Sequence, residues 1–191
     1  MQAENENLSA QQSLDIITAM IRQAKGNVSS NSFYFLLWGW TIAIANMGVF
    51  IMIRYTDVSH PENIFSITII SAIISAVYGA RQSKRAKVAT ILDATNMWIW
   101  VGYAITCFTI IAFGSKTNWQ INALLITMAS VPTFVTGIML RFKPLMYGGV
   151  ALWIFGIILF LVPGDLQFLV AAVAIALGYL VPGYMLKNAN G

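Results

Sequence analysis

Charge is scarce in this chain, and where it is missing matters more than how little there is. Only 9% of the 191 residues are Asp, Glu, Lys or Arg, against about 25% in an ordinary soluble domain. None of them falls inside six apolar runs, which we place at 33–53, 64–80, 97–114, 120–140, 145–162 and 166–186. A charge at the bilayer centre costs about 2.5–3.5 kcal/mol on insertion scales, so charge-free runs of this length read as membrane spans. A soluble bundle of the same size would show a polar helical face every three or four residues, and these runs show none.

Other absences narrow the chemistry. Cys107 is the only cysteine and can form no intramolecular disulfide. His60 is the only histidine and sits beside Pro61 in a loop. One Cys and one His cannot supply the three or four protein ligands that zinc takes, so no metal and no cofactor is expected. No Asp, Glu, His or Arg lies at membrane depth, where ion- and proton-coupled transporters keep them. Ser66, Ser71, Ser75 and Ser130 have no histidine or carboxylate at depth to activate them. An enzyme is not expected. The first 32 residues carry Glu4, Glu6 and Asp15 and lack an apolar core after a basic start. The first span therefore reads as uncleaved, beginning at Phe33.

What is present sets an orientation. Nine basic residues fall on one side: Arg22, Lys25, Arg81, Lys84, Arg85, Lys87, Arg141, Lys143 and Lys187. Only Arg54 and Lys116 fall on the other. Basic residues collect on the cytoplasmic side, so both termini are expected there. This distribution also accounts for the net charge of +4 without a nucleic-acid partner. The expected fold is an all-α six-helix transmembrane bundle over 33–186, with a cytoplasmic segment 1–32 before it and a short tail 187–191 after it. Pro163-Gly-Asp165 supplies turn chemistry for the tightest link, and Lys87–Asn96 reads as a helical extension of span 3.

Residues 9–25 have a different pattern. Ser9-Ala-Gln-Gln12 fits a capping box. Leu14, Ile17, Met20 and Ile21 then recur at helical spacing opposite Asp15, Thr18 and Arg22. Gly26-Asn27 reads as a stop signal, followed by a polar hinge to Ser32. Such an amphipathic helix lies on the inner leaflet or packs beneath the bundle. Its apolar face can equally dock a protein partner or a second copy of the chain.

Spans 4 and 6 end alike, Gly137-Ile-Met-Leu-Arg141 against Gly183-Tyr-Met-Leu-Lys187, and spans 1, 3 and 5 open on aromatic residues or glycine. A three-hairpin internal repeat would give this pattern; so would the ordinary composition of inner helix ends.

Mild polarity remains within the spans. Asn46 is the strongest polar group at depth, either an interhelical contact or the lining of a hydrated path. Ser130-Val-Pro132-Thr133 predicts a kink in span 4, with hydroxyls re-satisfying freed carbonyls. Span 2 carries two small-residue stripes at four-residue spacing, Thr68-Ala72-Ala76 and Ser71-Ser75-Gly79, that favour close helix packing, within the bundle or between copies.

Ser13-Leu-Asp-Ile-Ile-Thr-Ala-Met-Ile-Arg-Gln-Ala-Lys25, with Phe35-Leu-Leu-Trp-Gly-Trp40, resembles an uncharacterised family of small bacterial six-span inner-membrane proteins. The likeness is confined to about the first quarter of the chain. It implies a bacterial inner-membrane location and carries over no activity, ligand or catalytic residue. The function expected from these readings is a non-enzymatic membrane subunit that docks a partner or senses the bilayer. The alternative is a passive channel or carrier for a neutral, apolar or lipid-like molecule.

Overall fold

The computed structural model describes the backbone of residues 10–85, 91–118 and 120–189, and side chains over 31–82, 92–118 and 120–189. Helix α1 runs Ala10–Tyr55, α2 Ile67–Arg85, α3 Ile91–Ala112, α4 Ile121–Met139, α5 Lys143–Leu161, α6 Leu166–Ile175 and α7 Val181–Asn188. A π-helical turn, Ala176–Leu180, joins α6 to α7 without a break. Short 3-10 turns, Pro61–Ser66 and Gly114–Thr117, lead into α2 and follow α3. No strand occurs among the described residues.

Six helical segments are long and apolar enough to cross a membrane: Asn31–Tyr55, Pro61–Gln82, Leu92–Ala112, Ile121–Met139, Lys143–Leu161 and Leu166–Asn188. By length and composition this is a multi-pass membrane protein. Helices are the form such runs must take, because lipid offers no partner for a free N–H or C=O.

The N-terminal helix does not stop where the sequence places a hinge. Gly26-Asn27 and the polar stretch after it are helical, and α1 is one helix of 46 residues. Glycine and asparagine in a helix interior weaken it by about 1 kcal/mol or less each and do not remove a backbone donor, as proline does. At about 1.5 Å per residue α1 is roughly 69 Å long, more than twice the ~30 Å hydrocarbon core. Its first 21 residues thus precede the apolar segment Asn31–Tyr55 within the same helix. Ser9 and the side chains of Leu14, Ile17, Met20 and Ile21 lie outside the described residues. Helix α3 starts at Ile91, and the residues 86–90 before it lie outside the description as well.

The core is built from α1, α4, α5 and the α6–π–α7 span. Helices α4 and α5 form the closest pair. Leu145, Leu152 and Leu159 are each fully buried and seven residues apart. Gly149 lies against the Phe134 backbone and Gly156 against Thr127, again at seven-residue spacing on both helices. A strict seven-residue repeat keeps one seam facing its partner along the whole length. Glycine on that seam lets the backbones approach, as small residues do in membrane interfaces.

The α4–α5 link is a Schellman turn. Arg141 N–H bonds to Ile138 O at 3.0 Å and Phe142 N–H to Gly137 O at 2.9 Å. Arg141 occupies the left-handed position, φ 52°, where glycine is usual. At the α5–α6 link Gly164 takes φ 61°, as the Pro-Gly-Asp turn chemistry predicts.

Helices α2 and α3 sit at the rim. Ser71 is the one fully buried residue among those described in α2, and none is fully buried in α3. The small residues read from the sequence in span 2 divide: Gly79 meets Tyr34 of α1, while the edge with Ala72 and Ala76 faces outward. Ala72 and Ala76 are exposed, and Thr68 and Gly79 only half-buried. The Ser71-Ser75-Gly79 stripe is the one that turns inward, with Ser71 and Ser75 hydrogen-bonded to Thr41 and Trp38 of α1.

Candidate functional site

The buried polar groups at membrane depth are hydrogen-bonded, some to carbonyls of their own helix and some across to a neighbouring helix. Asn46, in α1, is fully buried. Its amide donates to Ile42 O at 2.9 Å, and its side-chain oxygen accepts from Asn122 Nδ2, in α4, at 2.7 Å. Thr41 Oγ1 and Ser71 Oγ lie 2.6 Å apart, and Trp38 Nε1 donates to Ser75 Oγ at 3.0 Å. These two contacts fasten α2 to α1.

At the opposite end from Asn46 a chain of bonds joins three helices. Trp100 Nε1 donates to Thr136 Oγ1 at 3.1 Å, Thr136 donates to Asn96 Oδ1 at 2.7 Å, and Asn96 Nδ2 donates to Asn31 Oδ1 at 3.4 Å. Trp100 also stands at the centre of an aromatic cluster. Phe35 packs edge-on at 5.7 Å, Tyr103 at 5.8 Å and Tyr179 at 6.4 Å. Among the described side chains no buried polar atom is left without a partner, as a low-dielectric interior demands.

Ser130, Pro132 and Thr133 lie together on the buried face of α4. Pro132 cannot bond to Met128 O. The neighbouring hydroxyls bond to the carbonyls on either side of that one: Ser130 to Thr127 O at 2.6 Å and Thr133 to Ala129 O at 2.7 Å. Helix α4 stays continuous through Pro132. Thr133 faces the Tyr179 hydroxyl from the π-helical turn. The structure thus brings Ser130, Pro132 and Thr133 to one place and sets Asn46 elsewhere, with its own partner.

The π-helical turn has no signature in the hydropathy pattern. Val181 N–H reaches back five residues to Ala176 O. Pro182, which follows, has no N–H to give to Gly178 O, its helical acceptor. An inserted residue and a missing donor therefore fall within one turn, the combination that π-bulges accommodate.

Ion pairs among the described residues lie at the end that bears Arg54. Arg54 Nη1 meets Asp165 Oδ2 at 2.8 Å, tying the end of α1 to the start of α6. That hydrogen bond holds the Asp165 carboxyl below its usual range, against a smaller opposing effect of desolvation. His60 meets Glu62 at 3.0 Å in the exposed loop before α2. No group of three or more His, Cys, Asp or Glu comes together among the described residues.

No protein-family model matches the chain, and no curated protein and no solved structure is significantly similar to it.

Proposed function

We propose that this protein is a non-enzymatic integral membrane subunit that docks a partner, or reads the bilayer, through its N-terminal helix. The observation that carries this reading is the unbroken α1: the segment with the amphipathic pattern is continuous with the first span. A continuous helix carries a push or a twist into the bundle more directly than a polar hinge would. The basic-residue asymmetry supports an orientation with both termini in the cytoplasm. The resemblance over residues 13–25 and 35–40 supports the inner membrane of a bacterium. The paired polar side chains of the core support a sealed bundle over an open path.

The test is deletion of residues 1–30 with affinity purification from native membranes. Loss of a co-purifying partner supports docking. A partner retained by the truncated chain, or none with the full chain, removes it.

One observation favours the second reading, a passive channel or carrier for a neutral or apolar molecule. Pro132 in α4 and the π-helical turn are opposed across the core, with Thr133 beside Tyr179. Irregular helices at depth commonly line a pathway. Single cysteines at Asn46 and Ser130, in a Cys107→Ser background, separate the two readings. Protection from an impermeant maleimide at both positions, with Ser83 and Ser115 controls labelling from opposite sides, fits the sealed subunit. Rapid labelling at both fits a hydrated path.

A further inference from the structure

We propose that the outward face of α2 binds an anionic phospholipid, with the phosphate at Arg81 and an acyl chain along Ile73, Ile74 and Val77. A shallow groove of about 250 Å³ runs along this face, lined by those three residues together with Tyr78 and Arg81. Its apolar part is open: Ile73 is 59% exposed, Ile74 40% and Val77 46%. The groove therefore offers hydrocarbon along one turn of helix and a cation at its end. That is the chemical order of a phospholipid, from chain to headgroup.

Charge singles out the occupant. Between Glu62 and Asp93 there is no acidic residue, while Arg81, Lys84, Arg85 and Lys87 follow one another within two turns. Arg81 forms no ion pair with any described residue. A run of basic residues at the end of a membrane helix attracts anionic headgroups. A neutral lipid would fill the groove and leave Arg81 without a counter-charge.

The headgroup end is also held in place. Tyr78 stacks on Phe33 at 4.1 Å and meets Tyr34 edge-on at 5.6 Å. The Tyr34 hydroxyl rests where a Cβ on Gly79 would come within 3.0 Å of it, so Gly79 admits the ring against α2. These contacts fix Tyr78 one turn from Arg81, where an amphipathic ring sits at headgroup level.

This site goes beyond the docking reading and does not depend on it: a chain without lipid selectivity can still hold a partner. The test uses the full-length protein in detergent with phosphatidylglycerol or phosphatidylcholine of identical acyl chains, retention being read by native mass spectrometry. Phosphatidylglycerol is expected to be retained about fivefold more, the preference that one interfacial cation confers. Arg81→Gln should erase the preference and Arg81→Lys should keep most of it. Ile74→Trp, which fills the groove and leaves every charge in place, should also lower retention. Arg141→Gln at another helix end should change nothing. Equal retention of the two lipids overturns the proposal, as does a loss with Arg141→Gln equal to that with Arg81→Gln. Undiminished retention in Ile74→Trp overturns it too, because the basic cluster would then hold an anion without the groove; this arm decides the matter even if Arg81→Gln cannot be purified.

Discussion

The α-carbon of Gly148 lies against the carbonyl oxygen of Gly178: a Cβ on Gly148 would sit 2.7 Å from that oxygen. Gly178 belongs to the π-helical turn, and its carbonyl is the one Pro182 cannot serve as an α-helical donor. Two irregularities of one span thus meet the barest point of its neighbour. The close approach covers that carbonyl and permits a Cα–H···O contact.

Gly148→Ala is expected to destabilise the bundle by about 1–3 kcal/mol, the usual cost of overpacking, because the atom in the way is backbone and cannot rotate aside. Gly102→Ala is the control. A Cβ there meets nothing within 4 Å, so it should be neutral or stabilise α3 by up to about 1 kcal/mol. Thermal melts in a single detergent compare the two; equal effects would mean that the Gly148–Gly178 contact contributes nothing special.

The Asn46–Asn122 pair predicts a coupled response. Asn46→Ala strands the Asn122 amide, at a cost of about 0.6–1.7 kcal/mol, the range found for interhelical bonds in membranes. Replacing both residues by Leu should cost less than the sum of the single changes, since no buried amide is then left unpaired. A double-mutant cycle measured by denaturation in detergent would show this as a coupling energy, and additive effects would argue that the pair is incidental.

The spans were legible because lipid imposes one rule on every residue: all six apolar runs correspond to helices. Which helices form the centre was not legible. Span 3 is the least apolar of the six, but span 2 is about as apolar as spans 1 and 4 and still lies at the rim, so hydropathy alone does not decide burial in the bundle. Small residues are an ambiguous guide as well. Ala72 and Ala76 are spaced for packing but turn outward, whereas Gly149 and Gly156 form the closest seam. The seven-residue spacing shared with Leu145, Leu152 and Leu159 was the available signal. Asn46 was readable as a polar group in need of a partner, but Asn122 and Asn96 looked like span ends. The π-helical turn left only Gly178 and Pro182 as hints.

Arg141 offers a test of backbone against charge. Its left-handed conformation costs a non-glycine residue about 1–2 kcal/mol. Arg141→Gly should therefore raise stability by about 1 kcal/mol while keeping both Schellman bonds. Arg141→Ala keeps the strained Cβ and should bring no such gain. If the two variants melt together, the turn conformation is not limiting.

The Arg54–Asp165 clasp should answer to acid, and the sign follows from the direction of the shift. The Asp165 carboxyl titrates below its ordinary value in the folded protein because Arg54 hydrogen-bonds to its charged form. Between the folded and the ordinary value the unfolded chain binds more protons, so stability rises with pH through that window. The contribution is fully present above the ordinary aspartate value of about 4. It fades as pH falls through the folded value. Both side chains are partly solvent-exposed, at 53% and 24%, so the effect is small and further reduced by salt. The check is the difference in melting temperature between the wild-type chain and Asp165→Asn. That difference should be constant from pH 7 to about 5, shrink towards pH 3, and narrow at every pH when salt is raised to about 1 M. A difference that is flat across the whole range would mean that the ion pair does not hold α1 to α6 in solution.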